Sequence, residues 1–187
     1  MKIIGGKYKS KQLKSPEGIQ TRPTLNRIKE NLFNILCHKF DVDFQELKIL
    51  DLFAGSGSLG IECYSRGAKQ VTFVDNEINA IKAIQQNTKV FDKKKIEIKQ
   101  ESVLRFLKKK GALYDLIFID PPYDINIVEP TLIALSENNW VDINSLIIVE
   151  TAKKNGLTAP KNFEIIDSRT YAKTSLFFVK VKPDVSE

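Results

Sequence analysis

The alternation of short apolar runs with amphipathic stretches between residues 47 and 150 constrains the fold of this chain more than any other feature. Helices that alternate with strands form right-handed crossover units on a mostly parallel sheet, and ligands bind at the carboxyl ends of its strands. Apolar runs predict strands at 47–53, 71–75, 96–99, 113–120 and 146–150. Helical periodicity predicts helices at 59–66, 77–91, 103–110 and 127–138. With two antiparallel tail strands at 163–169 and 175–181, we expect a doubly wound α/β fold with a seven-strand sheet.

The N-terminal region has a different pattern. A Gly-Gly pair within residues 2–14 favours a short β-hairpin. Residues 15–23 are loop-like, and a helix is predicted from Thr24, its N-cap, to about residue 39. We therefore expect a basic arm at 1–23 that precedes a single α/β domain at 24–187.

Charge is concentrated in the same region. Residues 1–30 carry eight basic and two acidic side chains, so the formal net charge of +6 lies there and the remainder is neutral. A concentrated basic segment attracts phosphate backbones. From charge alone, a solvated lysine-rich leader explains the pattern equally well.

Several classes of protein are excluded by composition. The two cysteines, Cys37 and Cys63, have no metal-ligand spacing, so we expect neither a disulfide framework nor a metal site. No apolar run approaches the roughly 20 residues of a membrane span, and the first residues lack the apolar core of a signal peptide. We expect a cytoplasmic monomer that does not contact membranes.

A glycine-rich turn follows the first predicted strand. The sequence DLFAGSGSLG at 51–60 places glycines where backbone can approach a ligand, and an acid, Asp75, ends the next strand. The glycines fit the G-x-G-x-x-G pattern of nicotinamide sites, which is weak alone. Asp51 would repel a pyrophosphate but would attract the α-amino group and the sulfonium of S-adenosylmethionine. The turn therefore favours a methyl donor, with a nicotinamide cofactor as the alternative.

The sequence Asp-Pro-Pro-Tyr at 120–123 directly follows the fourth predicted strand and resembles the [DN]-P-P-[YF] motif of amino-methyltransferases, which implies an acceptor site. The lone pair of an exocyclic amine on a base is delocalised into the ring, so the amine is a poor nucleophile. A carboxylate at Asp120 and the carbonyl of Pro121 can accept its N–H groups and localise the lone pair. The prolines hold that carbonyl outward, and Tyr123 can stack on the base. A simple strand-ending turn is the alternative interpretation.

Other chemistries find little support in the sequence. His38 is the single histidine and lies in the predicted N-terminal helix, so a Ser-His-Asp hydrolase is disfavoured. Cys63 lies inside a predicted helix, away from the ends of strands, which disfavours a methyltransferase with a cysteine nucleophile.

Four segments together resemble one protein family. They are 2–8 (KIIGGKY), 21–36 (TRPTLNRIKENLFNIL), 51–68 (DLFAGSGSLGIECYSRGA) and 120–123 (DPPY). In combination they are similar to the RsmD family, bacterial 16S ribosomal RNA guanine-N2 methyltransferases. The resemblance implies a class I, Rossmann-like methyltransferase fold and S-adenosyl-L-methionine as the donor. It also implies 16S rRNA as the partner, within the small ribosomal subunit or an assembly intermediate.

The resemblance also implies roles for individual residues. The residues expected to bind the donor are Asp51, Phe53, Ala54, Gly55, Gly57, Asp75, Asn76, Ser102 and Val103. Those expected to bind and activate the acceptor are Asp120, Pro121, Pro122 and Tyr123. The basic arm and the segment after it supply the expected RNA contacts, which are Lys7, Lys9, Lys11, Arg22, Thr24 and Arg27.

Two departures from the family pattern fall in the N-terminal helix. Asn26 stands where the family has Asp, and Lys29 stands where it has Arg. An Arg-to-Lys change removes a bidentate guanidinium. We expect these departures to alter RNA contacts rather than methyl chemistry. The remaining alternatives are an adenine-N6 methyltransferase, a nicotinamide oxidoreductase, and a non-catalytic RNA-binding assembly factor on the same fold.

Overall fold

The computed structural model describes residues 1–17, 23–122 and 125–183, and the chain divides into two compact units. The first unit, Met1–Gln100, contains helices α1 (Pro23–His38), α2 (Ser58–Ser65) and α3 (Ile78–Thr88) and strands β1 (Lys48–Leu52), β2 (Gln70–Asp75) and β3 (Ile96–Gln100). The second unit, Glu101–Glu187, contains helices α4 (Val103–Leu107) and α5 (Val128–Glu137) and strands β4 (Leu116–Ile119), β5 (Leu146–Ala152), β6 (Phe163–Thr170) and β7 (Thr174–Val181).

The strands form a seven-stranded sheet in the order β3-β2-β1-β4-β5-β7-β6. Strand β2 pairs in parallel with β1 and with β3, and β4 pairs in parallel with β5. Strand β7 runs antiparallel to both β5 and β6. The predicted doubly wound, mostly parallel α/β fold with an antiparallel tail is therefore confirmed. The division into an arm at 1–23 and a domain at 24–187 stays a prediction.

One helix and one strand are shorter than predicted, because residues just outside them pack into the core. The helix predicted at 77–91 ends at Thr88, because Phe91 turns inward and is 4 % exposed. The strand predicted at 113–120 spans only Leu116–Ile119. The chain before it passes over Trp140, whose indole N–H donates to the carbonyls of Leu107 and Lys109 at 3.1 Å each.

The N-terminal segment forms the predicted hairpin only in part. A single antiparallel bridge joins Lys2 and Gln12, and the amide of Ile3 donates to the carbonyl of Lys11 at 3.0 Å. The turn between them contains Gly6, which has φ +74°, and a Cβ there would lie 1.9 Å from the carbonyl oxygen of Ser65. A glycine is therefore required for this close approach to α2.

A buried carboxylate on α2 holds the N-terminal segment in place. Glu62 is fully buried and accepts the amides of Ile4 at 2.8 Å and Gly5 at 2.7 Å. Its side chain also pairs with Lys29 at 3.4 Å and with Arg66 at 3.1 Å. A buried carboxylate with this many partners is satisfied, and removing a partner would leave an uncompensated charge.

The position of Lys29 corrects one sequence-based expectation. Its side chain is 3 % exposed, its ammonium donates to the carbonyl of Lys2 at 2.8 Å, and burial lowers its pKa. Lys29 is therefore part of the interior and cannot contact RNA as a surface residue. Replacing the family's arginine with this lysine changes internal packing rather than an RNA contact.

In the described part of the chain, no helix combines the length and apolar character that a membrane span requires.

Candidate donor and acceptor sites

The glycine-rich turn leaves β1 through three residues with positive φ. Phe53 has φ +58°, Gly55 has φ +55° and Gly57 has φ +74°. Hydrogen bonds from Gly57 N to the Ala54 carbonyl, at 2.7 Å, and from Ala54 N to the Val74 carbonyl, at 3.2 Å, fix the path. A non-glycine residue in the left-handed region costs roughly 1–3 kcal/mol, and such strain clusters at functional sites. The hydrogen bonds of the turn therefore hold Phe53 in a conformation that is costly for a residue with a side chain.

The three glycines of the turn have different physical roles. A Cβ at Gly60 would lie 2.5 Å from the ring of Phe73, so Gly60 permits α2 to pack closely on β2. A Cβ at Gly57 would also approach Phe73, at 3.1 Å. At Gly55 the nearest atom to a Cβ is a carbonyl oxygen 4.0 Å away, so space beside it is open. Of the three glycines, Gly55 is the one whose backbone a ligand can reach.

Asp51 lies at the end of β1 with 2 % exposure, and its Oδ2 accepts the amide of Gly60 at 2.9 Å. This carboxylate therefore occupies the first turn of α2, where a dinucleotide site would place a pyrophosphate. A second anion at that position would meet a buried negative charge. The contact weighs against a nicotinamide cofactor and is compatible with a cationic methyl donor.

Asp75 connects the glycine-rich turn to the end of β2. Its Oδ2 accepts the amide of Gly55 at 2.8 Å, and its Oδ1 accepts the amide of Glu77 at 2.9 Å. Each carboxylate oxygen has two acceptor positions, so both can still accept a ribose hydroxyl. The next residue, Asn76, is exposed. The first unit thus assembles most of the predicted donor residues around one turn.

Two predicted donor residues belong to the second unit. Ser102 is exposed and has the extended backbone of an N-cap, with φ −65° and ψ 143°. Val103 follows as the first residue of α4 and is 4 % exposed. Of this pair, only Ser102 therefore presents a side chain to solvent.

The predicted acceptor residues follow β4, whose four residues are all buried. Asp120 and Pro122 are exposed, and Pro121 is half-buried. Tyr123 lies outside the described residues. Although the residue as a whole is exposed, protein atoms displace water around the carboxyl of Asp120, and this desolvation raises its pKa to about 6.

A second carboxyl lies beside Asp120. Strands β4 and β5 are in register, with Ile119 opposite Val149, so Glu150 follows in the position opposite Asp120. Desolvation and the charge of Asp120 together raise the pKa of Glu150 to about 8, against a hydrogen bond from Thr174 that lowers it. At neutral pH the two carboxyls therefore hold one proton between them.

Sequence reasoning missed Glu150, although a signal was present. Residues 116–120 read LIFID and residues 146–150 read LIIVE, so each is an apolar strand that ends in an acid. Since the carboxyl ends of neighbouring parallel strands lie at the same edge of a sheet, these acids are expected to be neighbours. The order of the strands was needed to establish that they pair.

The predicted RNA contacts are only partly described. Lys7, Lys9 and Arg27 are exposed, and Lys11 is half-buried with its ammonium 5.1 Å from the ring centre of Phe91. Arg22 lies outside the described residues, as does the side chain of Thr24. The exposed cations are thus available to a polyanion.

Comparison with known proteins identifies close relatives. The sequence profile of a family described as conserved hypothetical protein 95 matches residues 1–180. The chain is 36% identical over 174 residues to Ribosomal RNA small subunit methyltransferase D of Haemophilus influenzae, covering 91% of this chain and 88% of that protein. It is 34% identical over 166 residues to the protein of the same name in Escherichia coli K12, covering 88% and 82%. The solved structure of the yhhF protein from Escherichia coli superposes with a TM-score of 0.86 at 28% identity, covering 97% and 98%.

Proposed function

We propose, since the chain belongs to the family described as conserved hypothetical protein 95, that it methylates the exocyclic N2 amine of a guanine in small-subunit ribosomal RNA. Relatives that cover most of the chain are named Ribosomal RNA small subunit methyltransferase D, which supports an rRNA substrate and a cytoplasmic location. One observation carries the chemical part of the proposal. The Asp-Pro-Pro sequence follows a buried strand, and Asp120 has a carboxyl with a raised pKa.

The residues of the first unit fit S-adenosylmethionine as the donor. Space beside Gly55 is open, and Asp51 and Asp75 offer carboxylates to a ligand that carries an ammonium and ribose hydroxyls. When bound, this ligand supplies a methyl group on a sulfonium. The protein binds and orients this ligand. Asp75 holds the backbone of the glycine-rich turn in place, and Gly55 has no side chain that would obstruct the ligand.

In the second unit, Asp120 binds the acceptor amine. Its carboxylate accepts one N–H bond and the Pro121 carbonyl accepts the other, so the nitrogen lone pair is directed away from the ring. As the N–C bond forms, the bond between that methyl carbon and the sulfonium sulfur breaks and a neutral thioether is left. The positive charge thereby passes to the nitrogen, which releases one proton. Asp120 takes that proton, and its raised pKa makes it a stronger base than an ordinary aspartate.

Glu150 acts as a positioning residue in this proposal. At neutral pH it carries the proton of the pair, so it can donate a hydrogen bond to one oxygen of Asp120 while the other oxygen faces the amine. Thr174 fixes Glu150 through a side-chain hydrogen bond. The protonated neighbour keeps the net charge of the pair at one, which avoids repulsion between two adjacent carboxylates.

Two other functions make different predictions. An adenine-N6 methyltransferase would use the same carboxyl and carbonyl acceptors on a different base. A non-catalytic assembly factor would bind rRNA without transferring a methyl group. The raised pKa of Asp120 favours catalysis over the assembly role, because a protein that only binds RNA has no use for a carboxyl with a raised pKa.

The proposal is tested by transfer of a tritiated methyl group from S-adenosylmethionine to small ribosomal subunits from a strain that lacks the enzyme. We expect N2-methylguanosine after digestion to nucleosides. Detection of N6-methyladenosine instead would mean that the acceptor base is an adenine and that the mechanism of methyl transfer is the same. Binding of the donor with no transfer to subunits or to free 16S rRNA would contradict the proposed reaction, and subunits that already carry the methyl group are the control.

A further inference from the structure

The turn of the N-terminal segment is attached to one end of α2. The amide of Lys7 donates to the carbonyl of Ser65 at 2.7 Å, and the amide of Tyr8 donates to the Ser65 hydroxyl at 2.9 Å. Ser65 is the last residue of α2. Because the chain turns there into β2, Lys7 and its neighbours lie near the amino end of that strand.

Three aromatic rings join this turn to a second basic segment. The ring centres of Tyr8 and Phe91 are 4.7 Å apart, as are those of Tyr64 and Phe91. The hydroxyl of Tyr64 accepts the amide of Asp92 at 3.1 Å, and the ammonium of Lys11 lies 5.1 Å from the ring centre of Phe91. The segment that starts at Phe91 is therefore fixed against the N-terminal turn.

That second segment presents three consecutive lysines. Lys93–Lys95 forms a short 3-10 helix, and all three side chains are exposed. Asp92 caps this helix by accepting the amide of Lys94 at 3.0 Å. A depression beside it is lined by Lys89, among other residues. Lys89 thus adds a fourth exposed lysine beside this helix.

Nearby acids do not neutralise these lysines. Glu97 pairs with Lys99 at 2.6 Å and also bonds Thr72, and Glu62 is fully buried. Asp92 is exposed and is the one carboxylate within the lysine segment. Lysines held close together without matching acids create a positive potential that attracts polyanions.

The lysines lie at the opposite end of the strands from the proposed donor site. Lys93–Lys95 directly precedes β3, and the attachment point at Ser65 precedes β2, so both mark amino ends. Asp75 ends β2 at its carboxyl end. A six-residue strand at about 3.3 Å per residue spans roughly 20 Å, so the two ends are well separated.

We propose that these lysines form one surface that binds the phosphate backbone of the substrate RNA at the end of the first unit opposite the proposed donor site. This basal lysine surface consists of Lys7, Lys9, Lys11, Lys93, Lys94 and Lys95. The inference rests on the proposed function for the identity of the RNA. Lysine ammonium groups suit phosphates as point charges, and contacts to phosphate position a protein without reading sequence. The surface therefore sets the register of the enzyme on folded RNA.

The test uses two triple charge reversals in the full chain. Lys93→Glu/Lys94→Glu/Lys95→Glu alters the basal lysine surface, and Lys108→Glu/Lys109→Glu/Lys110→Glu alters a second run of three exposed lysines. Both variants change the net charge equally. Binding to deproteinised 16S rRNA is measured across salt concentrations by filter retention. Binding of S-adenosylmethionine, measured by calorimetry, verifies that each variant is folded.

We expect the first variant to bind RNA at least about tenfold more weakly and to reduce the salt slope by about two, since each phosphate contact contributes roughly 0.7–0.9. Reversing Lys7 and Lys9 should reduce the slope similarly. Equal losses in both triple variants, or an unchanged slope in the first, would overturn the proposal. Methyl transfer by the parent protein, measured separately, tests the proposed reaction independently of this surface.

Discussion

The glycine-rich turn and the Asp-Pro-Pro segment use carboxylates in opposite ways. In the turn, Asp51 and Asp75 accept backbone amides at 2.8 to 2.9 Å, so hydrogen bonds fix the orientation of both carboxyl groups. After β4, desolvation raises the pKa of Asp120 and of Glu150 into the range where protons exchange at neutral pH. Binding a ligand needs preorganised acceptors, whereas accepting a proton needs a carboxyl whose pKa is close to the working pH.

The largest effect is expected at Asp120, where substitution should affect proton acceptance but not ligand binding. Asp120→Asn should lower kcat about 100- to 10,000-fold while leaving donor affinity unchanged, because the amide cannot accept the amine proton. Single-turnover methyl transfer and calorimetric donor binding measure the two quantities. Asp115→Asn, at the other end of β4, is the control. An equal loss of donor affinity in Asp120→Asn would remove the distinction between the two regions.

The pH dependence of the parent protein sharpens the same comparison. Asp120 must be ionised to accept the proton, and its pKa is raised to about 6. The single-turnover rate should therefore fall as the pH drops through about 6. A rate that holds down to about pH 4, the ordinary value for an aspartate, would contradict the proposed role.

A smaller effect is expected at Glu150. Glu150→Ala should lower kcat about 10- to 100-fold at pH 7, since a hydrogen bond to a charged group contributes roughly 1.5–3 kcal/mol. Glu150→Gln keeps an N–H donor and should restore most of that rate. Because glutamine cannot ionise, it should also remove any change in rate near pH 8, where Glu150 loses its proton.

Stability measurements test Glu150 independently of activity. Its pKa is raised in the folded protein, so its contribution to stability is present below its ordinary pKa and is lost as pH rises through about 8. The melting temperature of Glu150→Gln relative to the parent should therefore increase between pH 5 and pH 9. If the difference in melting temperature between Glu150→Gln and the parent does not vary with pH, the raised pKa of Glu150 is contradicted. If Glu150→Ala and Glu150→Gln both transfer methyl groups at the parental rate, Glu150 has no positioning role.

The smallest effect concerns the glycine-rich turn. Gly55→Ala and Gly156→Ala introduce a Cβ at similar φ values, +55° and +64°, where no atom lies closer than 4.0 Å. Each should cost roughly 1 kcal/mol of folding free energy from the left-handed conformation. Only Gly55→Ala should weaken donor binding, by about tenfold, because only Gly55 borders the proposed ligand. Equal donor affinities in the two variants would place the ligand elsewhere.

Local patterns and long-range contacts were predictable to different degrees. Short apolar runs, separated by stretches with helical periodicity, predicted every strand of the sheet. Such patterns reflect burial along a short stretch of chain. The departure at Lys29 was expected to alter RNA contacts, yet Lys29 is buried against Glu62, which is 33 residues away. The sequence alone carries no signal for which charged residues will pair in the interior.

The sequence by itself determined the fold class, the glycine-rich turn and the Asp-Pro-Pro segment, because each depends on residues adjacent in the chain. Tertiary structure decided the partners of the carboxylates. The pairing of β4 with β5 places Glu150 beside Asp120, and the aromatic contacts of Phe91 bring two lysine segments together. Desolvation and charge proximity depend on distances through space, so the protonation of these groups is settled only once the strands have paired.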